Sequence, residues 1–107
     1  PHAHRCCYND FEDIHVWLSP KEAKIQARTI AQALTAAYPQ NRTLYQNNLN
    51  KFLEQLDDLD REIKEIMAKG DAKVILVSHP AYAYFARDYG LEQLSVEFEG
   101  KDPTVQQ

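Results

Sequence analysis

The sequence predicts an α/β chain organised by one long helix that joins a shorter helix to a βαβ unit. Three observations carry this reading. In residues 41–69 the side chains of Tyr45, Leu49, Phe52, Leu56, Leu59, Ile63 and Ile66 fall at alternating spacings of four and three, which lays an apolar stripe along one helix face. Ser19-Pro20-Lys21-Glu22 combines a capping residue, a proline suited to the first helical position and an acid that can close a capping box. Val74-Ile75-Leu76-Val77 is a continuous apolar run rich in β-branched residues, as in a strand buried on both faces of a parallel sheet.

In chain order, the start holds His2, His4, Cys6 and Cys7, a short tract that reads either as weakly metal-binding or as an unstructured terminus. Adjacent Cα atoms are only about 3.8 Å apart, too close for ordinary disulfide geometry, so the cysteines supply no framework. Residues 8–13 are polar and acidic and read as loop; residues 14–18 turn apolar and contain His15 and Trp17. A helix is expected from Pro20 to about Tyr38, its apolar face formed by Ala23, Ala27, Ile30, Leu34 and Ala37. Pro39 ends it, and the short turn makes the two helices pack antiparallel or at a steep angle.

The long helix can be capped by Asn41 or Thr43 and closed by Gly70 in the left-handed conformation. Its length, at about 1.5 Å per residue, is roughly 40 Å. Asp57 with Arg61, Asp60 with Lys64 and Glu65 with Lys69 are spaced for ion pairs on an exposed face. The stripe suits either a coiled-coil seam or a strut across two lobes. After Gly70 come the first strand, a helix opened by Pro80 and stopped by Gly90, and a second strand marked by the alternation of Leu94, Val96 and Phe98. Gly100, Asp102 and Pro103 then form a turn, and the chain breaks off in mid-fold. It reads as an internal fragment, because two strands do not supply the layers that a doubly buried strand needs.

The composition is that of an ordinary globular chain, with 44% hydrophobic and 26% charged residues in 107. A net charge of -4 without a basic stripe argues against nucleic acid as a partner. No apolar run approaches the roughly 18 residues of a membrane span. No nucleophile elbow and no glycine-rich phosphate loop occur among the three glycines, and the paired carboxylates lie along a helix face, so an enzyme is not expected. Two histidines stand at informative places: His15 just before a helix start, and His79 at the carboxyl end of a strand, where ligands of open α/β sheets collect. Imidazole is the commonest metal-binding side chain, although a lone histidine is more often a hydrogen-bonded structural residue.

The wording around these histidines is specific. Residues 13–20, Asp-Ile-His-Val-Trp-Leu-Ser-Pro, resemble the D-P-H-x-W-L-S-P signature of the periplasmic metal receptors of ABC transporters, the zinc and manganese solute-binding proteins of the ZnuA/TroA type. Residues 78–91, Ser-His-Pro-Ala-Tyr-Ala-Tyr-Phe-Ala-Arg-Asp-Tyr-Gly-Leu, are similar to that family's H-x-A-(F/Y)-x-Y-F-x-x-x-Y-G-L segment. Between them, residues 45–49 and the Leu56 to Leu59 run resemble the start of its backbone helix.

The resemblance implies two α/β lobes joined by one long helix, with a metal held between them by four side chains. Residues 1–40 would then be the end of the first lobe, 41–69 the connecting helix and 70–107 the start of the second lobe. Carried over by motif, His15 and His79 are two of the four ligands, and the other two lie outside this chain. His2 and His4 stand where zinc receptors carry a mobile histidine-rich loop and are auxiliary candidates. A nitrogen ligand at His79 leans towards Zn2+, with Mn2+ or Fe2+ as alternatives. Ile14 in place of the usual proline, and Pro80 in place of an acidic or amide residue, bear on the orientation of the ligands rather than on ligation itself. The implied function is extracytoplasmic capture of the ion, by a periplasmic protein or a membrane-anchored lipoprotein, and its delivery to an ABC permease. The competing reading is a helical oligomerisation module with incidental histidines. Apolar faces left uncovered in such a fragment lead to the expectation that it self-associates.

Overall fold

The computed structural model describes residues 13–97; His2, His4, the cysteine pair and the turn at Gly100 to Pro103 lie outside them. A 3-10 turn, Val16–Leu18, leads into α1, Pro20–Ala37. The 3-10 turn Pro39–Asn41 connects it to α2, Arg42–Ala68, and then follow β1, Val74–Val77, α3, Ala83–Tyr89, and β2, Glu92–Ser95. The class is α/β, and β1 pairs with β2 in parallel, Val74 beside Glu92 and Val77 beside Ser95.

The start of α1 forms for the expected reason and with an additional partner. Ser19 Oγ accepts the Glu22 N–H at 3.3 Å, but the Glu22 carboxylate does not return to close the box. It accepts a hydrogen bond from Arg87 of α3 at 2.8 Å instead. Ser19 is completely buried and its hydroxyl donates to Asp88, so the capping residue also docks α3.

Helices α1 and α2 form an antiparallel pair. Lys24, near the start of α1, meets Asp57, while Leu34, near its end, shares an apolar groove with Tyr45 at the start of α2. The same ion pair corrects the expected bond between Asp57 and Arg61: the α1 lysine claims Asp57, and Arg61 turns to Asp58. The Asp60 to Lys64 pair forms at 2.9 Å, whereas no ion pair joins Glu65 to Lys69 among the described residues.

Both ends of α2 differ from expectation. Asn41 makes no capping bond with its side chain, because its amide donates to the Tyr45 hydroxyl at 3.3 Å. Gly70 is not left-handed; the helix unwinds through Lys69 in a right-handed conformation, and the Gly70 N–H reaches the Met67 carbonyl. The glycine that does use positive φ is Gly90, at 69°, closing α3, where a side chain would add strain. Pro80 precedes α3 rather than opening it; the first helical residue is Ala83.

Few apolar side chains are fully buried: Leu56 on α2, and Ala81, Ala83 and Ala86 at and just before α3. Much of the expected apolar stripe stays open, with Phe52, Leu59 and Ile66 all exposed. The β1 strand is likewise not covered on both faces: Leu76 is 71% exposed and Val74 45%. Among the described residues, no helix is long and apolar enough to cross a membrane.

Candidate metal centre

The fold brings His15 and His79 together from opposite ends of the described chain. Their ring centroids lie 5.3 Å apart with the planes at 85°. An edge-to-face ring contact has this spacing, and so do two imidazoles on one tetrahedral ion: with each nitrogen about 2.0–2.1 Å from the metal, the centroids sit roughly 5 Å apart. What distinguishes the pair is how the other nitrogens are held.

His15 Nδ1 lies 2.5 Å from Asp13 Oδ1, and His79 Nδ1 lies 2.6 Å from Glu97 Oε2. A carboxylate accepts the proton on Nδ1, so the tautomer it favours places the lone pair on Nε2. In both rings Nε2 is then the nitrogen whose lone pair suits a metal ion. The Asp13 side chain is 2% exposed and that of Glu97 13%, so two carboxylates back the two imidazoles, an arrangement suited to a divalent cation. Among the described residues, no third His, Cys, Asp or Glu joins them in a metal-binding group.

Local structure explains each placement. Asp13 Oδ1 also accepts the backbone N–H of His15 at 2.8 Å, folding the two residues into a tight bend ahead of the 3-10 turn. His79 follows β1, and the Ala81 N–H returns to its carbonyl at 2.8 Å around the buried Pro80. Glu97 lies just beyond β2, its N–H on Ser95 Oγ. The unusual Ile14 is 61% exposed and does not prevent the Asp13 contact. Trp17, 54% exposed, flanks the pair with its ring centroid 5.5 Å from that of His15.

Beside this centre, α3 is fastened to both long helices. Arg87 bonds to Asp88 and Glu22, which hold its guanidinium even more firmly protonated than usual, and stands 4.9 Å over the Tyr84 ring. Burial disfavours ionisation of Asp88, but hydrogen bonds from Arg87 and Ser19 outweigh it and keep the carboxyl below its ordinary range. Tyr89 donates to Asp60 at 2.7 Å; burial and this bond push the phenol up, while Tyr89 and Lys64 hold Asp60 down. An open cleft of about 380 Å³ lined by Lys21, Lys24, Asp57, Asp60, Lys64 and Asp88 is largely self-neutralised by these pairs.

Motif reading marked His15 and His79 but overlooked the role of Asp13 and missed Glu97 altogether. Glu97 becomes evident only from the strand register. Parallel pairing of Val77 with Ser95 fixes an offset that, continued two residues, sets Glu97 beside His79.

Comparison with known proteins adds a consistent pattern. The sequence profile of the family described as zinc-uptake complex component A, periplasmic (ZnuA), matches residues 1–107. The chain is 43% identical over 93 residues to a Chlamydia muridarum protein named for metal binding, covering 86% of this chain and 34% of that protein. It is 32% identical over 84 residues to the high-affinity zinc uptake system protein ZnuA of Bacillus subtilis, covering 78% of this chain and 26% of that one. A ZnuA crystal structure superposes with a TM-score of 0.80 at 45% identity, over 88% of this chain and 36% of the other. Zinc-bound AdcA from Streptococcus pneumoniae gives 0.78 at 31% identity, over 88% and 21%. The chain therefore spans about a third or less of the length of these relatives.

Proposed function

Because the chain belongs to the family of periplasmic zinc-uptake component A proteins, we propose that it forms part of a receptor that captures a divalent transition metal ion, zinc foremost, and hands it to a transporter. The observation that supports this most directly is the His15 and His79 pair, 5.3 Å apart, each with Nδ1 on a carboxylate. In this reading the two Nε2 atoms bind the ion, which is cargo, and the rest of its coordination comes from outside the described residues, with His2 and His4 as auxiliary donors. Residues 1–40 complete a first lobe, 41–69 connect and 70–107 begin a second. The work is extracytoplasmic, the recipient is an ABC permease, and no reaction is catalysed.

Zinc calorimetry on the protein that contains this chain tests the assignment. His15→Ala and His79→Ala should each lower affinity by orders of magnitude while leaving the far-ultraviolet circular dichroism of the metal-free protein unchanged, since neither ring lies in the apolar core. Undiminished binding in both variants rejects the two residues as ligands. Thermal unfolding separates the reading from an oligomerisation module: at free zinc 100 times the Kd, linkage adds about 2.7 kcal/mol of stability, whereas a module without metal responds to protein concentration and ignores chelator.

A further inference from the structure

The second oxygen of Asp13 is engaged in a way that ligand orientation alone does not require. Oδ1 holds the ring and the backbone N–H of His15, and Oδ2 accepts the N–H of Ala83 at 3.1 Å across 70 positions of sequence. Ala83 is the first residue of α3, four residues after His79, and it is buried. One carboxylate, itself 2% exposed, therefore joins a candidate ligand on one segment to the backbone beside the candidate ligand on the other.

We propose that Asp13 is a positioning residue that couples metal binding to the docking of α3: it sets the His15 imidazole and the first turn of α3 in one mutual register, so occupancy of His15 tightens the Asp13 to Ala83 bond. The inference rests on the assignment of His15 and His79 as ligands. Its physical basis is that a carboxylate has two oxygens and Asp13 uses them for different segments. Fixing the His15 ring by a metal fixes Oδ1, and the rigid carboxylate plane then fixes Oδ2. The preceding amide, Tyr82 N–H, donates separately to Gln93 Oε1 at 2.7 Å, so the two adjacent N–H groups at the start of α3 are held by acceptors from different segments.

The test combines Asp13→Asn with amide exchange at Ala83 in the protein that contains this chain, zinc being the only ligand added. In the unsubstituted protein, saturating zinc should slow exchange at Ala83 by at least tenfold, and unchanged exchange there overturns the coupling without any variant. An asparagine retains one acceptor oxygen, so the variant cannot hold the His15 ring and the Ala83 N–H in one register, and the link between them is broken. It should bind zinc about 10–100-fold more weakly, the range typical for loss of a carboxylate behind a ligating histidine, and saturating zinc should no longer slow exchange at Ala83. Weaker binding with the zinc-dependent slowing at Ala83 intact reduces Asp13 to an orienter of His15 and overturns the proposal. Loss of zinc binding in His15→Ala and His79→Ala with none in Asp13→Asn also overturns it, while leaving the ligand assignment standing; unchanged binding in the histidine variants removes the assignment itself.

Discussion

Glu97 meets His79 at a sequence separation of 18, the same offset that pairs Val77 with Ser95 in the parallel sheet. The contact is an extension of strand register beyond the last ladder bond, so the βαβ unit delivers an acceptor to the histidine as a by-product of its own pairing. Glu97→Ala should therefore weaken zinc binding by about 10–100-fold, and Glu97→Gln by less, because an amide oxygen still accepts from Nδ1. Calorimetry on both variants checks the order.

Trp17 is the single tryptophan of the chain and stands 5.5 Å from His15, half open to solvent. Its emission should respond to zinc in a saturable way, and a paramagnetic substitute such as Cu2+ should quench it. His15→Ala should abolish the zinc response while leaving the spectrum of the metal-free protein close to normal. A response that survives in that variant places the ion elsewhere.

Acid should loosen the attachment of α3. Asp60 and Asp88 ionise more readily than an ordinary aspartate. A carboxyl with a depressed folded-state pKa contributes stability above its unfolded value, near 3.9, and loses it as pH falls through the folded value. The midpoint of thermal unfolding should drop below about pH 4, and Asp88→Asn should flatten part of that drop. Tyr89 has the opposite sense: with its pKa raised, its contribution is intact below about pH 10 and is lost as pH rises through the folded value. Tyr89→Phe should remove that alkaline component.

Ser19→Ala should destabilise by about 1–3 kcal/mol, measured by urea unfolding, since it removes a helix cap and leaves the half-buried Asp88 short of a donor. Ser19→Thr, which keeps the hydroxyl, should recover part of the loss. An equal loss in both variants would point to steric exclusion rather than hydrogen bonding.

The 107-residue chain by itself should self-associate. Ile30, Leu34 and Phe52 are exposed along the α1 to α2 groove, and Leu76 is exposed on the sheet, which together favour burial against another copy. Light scattering should show mass rising with concentration, and Ile30→Asp with Phe52→Asp should lower it. A monomer at all concentrations contradicts the expectation.

Local features of this fold were legible in the sequence, and long-range polar ones were not. The Ser19-Pro20 start, the stripe of α2, the parallel βαβ and the stop of α3 at Gly90 each follow from the pattern of residues close together in the chain. Gly70 misled because a glycine permits positive φ without demanding it, and α2 ends instead in a right-handed Lys69. The Asp57 partner was misassigned because i,i+4 spacing says nothing about a lysine on a neighbouring helix. Asp13 was visible as part of a motif, but its bond to Ala83 depends on how α3 docks. The histidine pair became legible through motif order; its carboxylate partners needed strand register and tertiary contact.

The contacts that dock α3 beside the histidine pair span 70 and 69 residues, Asp13 to Ala83 and Ser19 to Asp88, whereas the strand pairing that presents Glu97 to His79 spans 18. Loop-closure entropy scales with the logarithm of length, so the longer closures cost roughly 1 kcal/mol more than the shorter. In a refolding reaction the βαβ unit and the helical hairpin, both built from nearer neighbours, gain an advantage in rate. The two imidazoles would then meet only after those units have formed, making assembly of the histidine pair a late event on the folding pathway and leaving half-folded chains without the candidate site.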